Sequence, residues 1–170
     1  GVDYLLGKNG ANALYAESLA APFDSTFKNT RRNPPWGMVQ NKWGRKNNCY
    51  ADAAQNPDIP AGKGTIIAFN DAPVMAKLRA KLPSILGNEA ENLYAETNLY
   101  TDVRSAKVGI GFHGDGERKI VCGVRLGKAS ATAPLRFQWF HRSKAISEEY
   151  VIELDHGDLY VMSDKAVGSD

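Results

Sequence analysis

A histidine and an aspartate two residues apart, in Gly111-Phe112-His113-Gly114-Asp115-Gly116-Glu117-Arg118, are the residues of this sequence best placed to do chemistry. Where such a pair leaves a strand, both ligand atoms can point at one metal ion. An imidazole and a carboxylate, completed by a second imidazole from elsewhere, form the facial triad that holds non-haem Fe(II) with open positions. The same three residues also suit a polar turn between strands, and the tripeptide alone does not separate the two readings.

The elements that must position this pair are strands. From about Glu91 the short apolar runs Glu96–Tyr100, Val108–Phe112, Lys119–Leu126, Leu135–Phe140, Tyr150–Leu154 and Asp158–Met162 are each bounded by Gly, Pro, Asp or Ser. They are rich in β-branched and aromatic residues, so they predict strands, and their spacing predicts a sandwich or jelly roll. Upstream, residues 10–20 carry Leu14, Tyr15, Ser18 and Leu19 at helical spacing before Pro22, which predicts a short helix. Pro73–Lys81 predicts a second, with Pro73 at its start, Val74, Leu78 and Leu82 on one face, and Pro83 at its end. Gly64–Phe69 predicts a strand. The class is therefore α+β, mainly β, with N-terminal helices bracing one sheet from outside. Strand and helix do not alternate, which counts against a dinucleotide-binding fold.

Residues 29–62 read as a long irregular stretch with short strands near Gly37–Gln40 and Cys49–Ala51, and loops of that length are often lids. Between Lys28 and Lys46 lie Lys28, Arg31, Arg32, Lys42, Arg45 and Lys46 without an acidic residue among them, and Trp36 and Trp43 are interleaved. Basic groups neutralise phosphates and flat rings stack on bases; the same run also fits a solvated loop. The net charge of +2 and pI of about 8.5 decide nothing further. Hydrophobic content of 43% and charged content of 24% are those of an ordinary globular chain, and 170 residues suffice for one domain. No apolar run is long enough to span a membrane. No secretory signal is visible, and two cysteines far apart, Cys49 and Cys122, suit a reducing, intracellular setting, cytoplasmic or nuclear.

Several stretches together resemble the AlkB-like Fe(II)- and 2-oxoglutarate-dependent dioxygenases. They are Asn98-Leu99-Tyr100, His113-Gly-Asp115-Gly-Glu117-Arg118, the strand Ile120–Leu126 ending at Gly127, and Leu154-Asp155-His156-Gly157-Asp158 leading into Leu159–Ser163. The helix Pro73–Lys81 matches in order. The resemblance covers roughly residues 65–170. It implies a double-stranded β-helix, in one oxygenase domain over 1–170, with 28–62 as the substrate-recognition lid. It implies His113 and Asp115 as iron ligands, and Asn98 and Tyr100 as donors to the 2-oxoglutarate carboxylates. It places Glu117 and Arg118 just outside the metal, orienting ligands or the substrate strand. Arg31, Arg32, Trp36 and Trp43 would then meet substrate, a methylated nucleobase in DNA or RNA.

Two departures matter. The connection from Tyr100 to His113 is a few residues longer than in the best-known members. The family's distal histidine and co-substrate arginine would fall beyond Asp170, so the chain as given would bind iron weakly or not at all. Within the chain, Arg125 and Arg136 are the arginine candidates. His156 reads as a turn residue at a barrel rim, and His141 as a core-edge or surface histidine. A protein side-chain hydroxylase on the same fold, and a non-catalytic β-sandwich binding module, are the competing readings.

Overall fold

In a computed structural model the described residues are 1–30, 36–102, 108–127 and 133–167. A helical layer comes first. It holds α1 (Val2–Leu6) and α2 (Gly10–Ala20), and later α3 (Pro73–Lys81) and the short α4 (Pro83–Leu86). Leu14 of α2 and Leu78 of α3 face inward as the 3.6-residue period demands. They pack with Val2, Leu5, Leu6, Ala11, Leu82 and Ala90 into the main core cluster. Burying a leucine of this kind contributes about 1.5–3 kcal/mol.

The helices cap one another. The N-terminus of α3 has no cap from its own N-cap residue, Ala72. Instead the Glu17 carboxylate of α2 accepts from Val74 N at 2.9 Å and Met75 N at 2.8 Å. Those N–H groups have no partner inside the helix, and a carboxylate also suits the positive end of the helix dipole. In return Lys77 Nζ donates to the Leu6 carbonyl near the end of α1 at 2.9 Å. Pro83 interrupts α3 and then opens α4, because its fixed φ suits a first helical position.

Two sheets meet this layer. The first joins β3 (Lys46–Ala51) to β4 (Ile66–Ala68) in parallel and to β5 (Ala95–Leu99) antiparallel. The second pairs β6 (Ile120–Val124) with β11 (Leu159–Ser163), antiparallel. Each sheet has one face on the helices. Tyr50 of β3 packs with Phe69 and Ala72, and Ile67 and Met75 lie against them. Cys122, Val124 and Leu159 pack against the main cluster.

Three further pairs complete the described strands: β1 (Thr26–Lys28) with β2 (Val39–Asn41), β7 (Leu135–Phe137) with β10 (Tyr150–Ile152), and β8 (Phe140–His141) with β9 (Lys144–Ala145). A short helix α5 (Asp164–Val167) follows β11. The fold is thus α+β with strands in small sheets of two or three. Among the described residues no helix is long and apolar enough to cross a membrane.

Several expectations need correction. Residues 108–112 form bends rather than a strand: Gly109 sits at φ +140, and Ile110 and Phe112 are exposed, so the run lacks the buried face that pairing requires. Leu135–Phe140 is split between β7 and β8. The short strands expected near Gly37–Gln40 and Cys49–Ala51 are present as β2 and β3, and a 3-10 turn follows at Ile59–Ala61.

Replacing Glu17 by Ala removes the cap of α3 from outside that helix. Urea denaturation is expected to show a loss of about 0.5–2 kcal/mol, the range for a lost N-cap. An unchanged midpoint would mean that water replaces the carboxylate without cost.

Candidate metal and anion site

The register of β3 on β5 sorts their side chains. Asn47 opposes Asn98 and Cys49 opposes Glu96. Side chains alternate along a strand and directly opposed residues share a face. Asn48 and Tyr50 point into the core, each about 1% exposed, so Asn47, Cys49, Glu96 and Asn98 form the opposite, polar face. Tyr100, two residues beyond Asn98, continues that side. The β6–β11 sheet divides in the same way. Cys122 and Val124 face the helices, which leaves Gly123, Arg125 and Tyr160 on the other side. A Cβ at Gly123 would fall 2.0 Å from the Tyr160 ring that lies across it, so that ring would have to move.

His113 and Asp115 sit on the bend that leads to β6. His113 Nδ1 lies 2.8 Å from the Gly111 carbonyl. A carbonyl only accepts, so Nδ1 is the donor, and a neutral ring keeps its lone pair on Nε2. That Nε2 lies 3.8 Å from Asp115 Oδ1. Neighbouring ligands with bonds of about 2.0–2.2 Å lie about 3 Å apart, so this pair would close by a little under about 1 Å on a shared ion. Asp115 is anchored by its own N–H, 2.6 Å from the Val167 carbonyl. Its Oδ2 meets Arg118 Nη1 at 3.2 Å. Among the described residues no group of three or more His, Cys, Asp or Glu side chains could hold an ion.

The other two histidines lie elsewhere. His156 belongs to the turn before β11: its Nδ1 accepts from Gly127 N at 2.9 Å, its Nε2 lies 3.0 Å from Asn12 Oδ1, and its ring meets Tyr15 edge-on at 5.8 Å. It ties the helical layer to the β6–β11 sheet. His141 is exposed on β8.

Asn98 Oδ1 accepts from Arg45 Nε. Arg45 also approaches Glu96 at 3.6 Å. Burial raises the Tyr100 hydroxyl above its ordinary value, while the charges of Arg45 and then Arg125 pull the other way. Tyr100 therefore stays a donor, beside two guanidinium groups. Burial likewise raises Tyr160, against the charge of Arg125. Among the described residues Arg125 has no carboxylate ion pair, whereas Arg136, exposed on β7, pairs with Glu149, which makes Arg136 part of a surface ion pair and removes it as an interior candidate. Glu117 is exposed and touches Arg118 at 3.6 Å.

Arg45 was visible in the sequence only as one of six basic residues in its segment. Its place beside Asn98 comes from β3 pairing with β5, and no local signal announces that pairing. Arg31 and Arg32 lie outside the described residues. Trp36 and Trp43 are on the surface, 67% and 79% exposed, rather than in the core. Trp43, Lys42, Arg45, Asn47, Phe27 and Gln40 line a cleft of about 650 Å³, which Gly109 from the bend before His113 also borders. Burial lowers Lys42 from its ordinary value, partly offset by Asp24.

No family model matches the sequence, and no solved structure matches it. Over 149 residues the chain is 41% identical to an uncharacterized protein of Acanthamoeba polyphaga mimivirus. That match takes in 84% of this chain and 56% of the viral protein. The chain thus spans just over half the length of the curated relative it matches.

A raised tyrosine means that the unfolded chain gives up this proton first. The contribution is complete below the unfolded pKa, about 10, and is lost as pH rises through the folded value. Tyr100→Phe is expected to flatten the alkaline fall in unfolding free energy. An equally steep fall in the variant would mean that the Tyr100 hydroxyl is not shielded from water.

Proposed function

We propose that this chain carries iron ligands of an Fe(II)/2-oxoglutarate-dependent dioxygenase of the AlkB-like kind, acting on methylated nucleobases in DNA or RNA. The observation that carries the reading is the approach of His113 Nε2 to Asp115 Oδ1, 3.8 Å, with Nδ1 already committed to the Gly111 carbonyl. A backbone partner on the far nitrogen is the usual way a ligating imidazole is oriented. In this reading the small sheets are parts of a double-stranded β-helix, with the polar faces of β3–β5 and β6–β11 lining its mouth. Neither His141 nor His156 lies at the pair, so the reading requires a second imidazole that the described residues do not bring there.

Bound Fe(II) and 2-oxoglutarate would supply the oxidation of a C–H bond by dioxygen, and a hydroxylated N-methyl group then leaves as formaldehyde. The chain's own residues hold and orient. His113 and Asp115 offer one neutral and one anionic donor. Tyr100 donates its O–H, and Asn98 keeps its amide N–H₂ on the side away from Arg45. Arg125 and Arg45 provide the positive field that a dicarboxylate needs, and bidentate guanidinium contacts fix orientation as well as charge. The cleft beside Trp43 and Lys42 suits a base lifted out of its stack: a ring for its face and a cation for its phosphate.

In the natural full-length protein, Mn(II) with 2-oxoglutarate is expected to raise the melting temperature. A ligand at 100 times its Kd adds about 2.7 kcal/mol. His113→Ala and Asp115→Asn should abolish the rise. No rise in the wild type contradicts the reading. Formaldehyde release from methylated oligonucleotides is expected in turnover assays, and turnover of peptides alone would move the substrate to protein side chains.

A further inference from the structure

Asp115 has two oxygens, and they are treated differently. Oδ1 faces His113 at 3.8 Å, while Oδ2 faces Arg118 Nη1 at 3.2 Å. The turn from 115 to 118 is closed by Arg118 N donating to the Asp115 carbonyl at 2.9 Å. Arg118 has one further acidic neighbour outside that turn and one within it. Its Nη2 lies 4.0 Å from Glu96 Oε2 on β5, and its Nε lies 3.6 Å from Glu117 Oε1. Glu96 is itself fixed, with Oε1 accepting from Asn47 Nδ2 at 2.8 Å.

We propose that Arg118 is a positioning residue for Asp115: its guanidinium holds Oδ2, so that Oδ1 alone is presented beside His113. This rests on the reading of His113 and Asp115 as metal ligands. A carboxylate on a surface bend can swing about its terminal torsion and offer either oxygen or both. A planar guanidinium removes that freedom, because its donors sit in a rigid fork. A cation beside a metal ligand would ordinarily repel the metal. Here Glu96 and Glu117 lie against the same guanidinium and offset its charge. The chain Glu96–Arg118–Asp115 also ties the strand carrying Asn98 to the metal pair, so co-substrate and metal positions are set by one network. An isolated surface ion pair would contribute little; here one guanidinium stands between Asp115 on the bend and Glu96 on β5.

The test uses Mn(II) affinity, followed by the electron paramagnetic resonance of the free ion, and the visible spectrum of bound Co(II), in the natural full-length protein. Arg118→Ala and Arg118→Lys are both expected to weaken Mn(II) about 10- to 100-fold, the cost of removing an orienting partner, and to change the Co(II) band pattern. Glu96→Gln should do the same to a smaller degree. Each variant is first shown to melt like the wild type, and a variant that does not is replaced by the other Arg118 substitution. Unchanged or tighter Mn(II) binding in Arg118→Ala overturns the proposal while the ligand reading stands. Full recovery in Arg118→Lys also overturns it, because charge alone would then suffice. Absence of Mn(II) binding in the wild type overturns the ligand reading and this inference with it.

Discussion

The pairing of β3 with β5 is the constraint on which the candidate site depends. In the observed register Asn48 and Tyr50 fall toward the core, while Asn47, Cys49, Glu96 and Asn98 fall on the opposite face. A slip by one residue would exchange the two sets. It would expel Tyr50 and bury Glu96, a charge whose desolvation the surroundings could not offset. The register is thus fixed by the core. The polar face that results is where Arg45 reaches Asn98 and where Glu96 steadies Arg118.

The core also fixes the second half of the site. Leu159 and Val124 lie against the helical layer, so Arg125 and Tyr160 must project the other way, toward Tyr100. His156 and Gly157 secure that arrangement from its edge. Gly157 O accepts from Val2 N at 2.7 Å, and Gly157 N donates to the Arg125 carbonyl at 2.8 Å. The Leu-Asp-His-Gly-Asp turn is therefore a fastening between helices and sheet. Its histidine is fully used in holding Gly127 and facing Asn12.

Much of this was legible in the sequence wherever burial writes a period. The helix over Pro73–Lys81 and the strands around Ile120–Val124 and Leu159–Ser163 follow from apolar spacing and flanking proline or glycine. Asn98 and Tyr100 were singled out only by the resemblance, and the β3–β5 register is what sets Asn98 on the polar face. What was not legible depends on partners distant in the chain. Arg45 looked like one of several solvated cations until β3 met β5. The run Val108–Phe112 carries strand-forming residues, yet Ile110 and Phe112 stay exposed and no ladder forms. Glu17 gave no sign that it would cap α3, since its targets lie more than fifty residues away.

The central claim is that one divalent cation sits between His113 and Asp115. In the natural full-length protein, paramagnetic broadening by substoichiometric Mn(II) reads this directly from the imidazole proton resonances of His113, His141 and His156. The account predicts that the His113 signals vanish first, while those of His141 and His156 persist. Selective loss of the His141 or His156 signals, or broadening of all three alike, would contradict it.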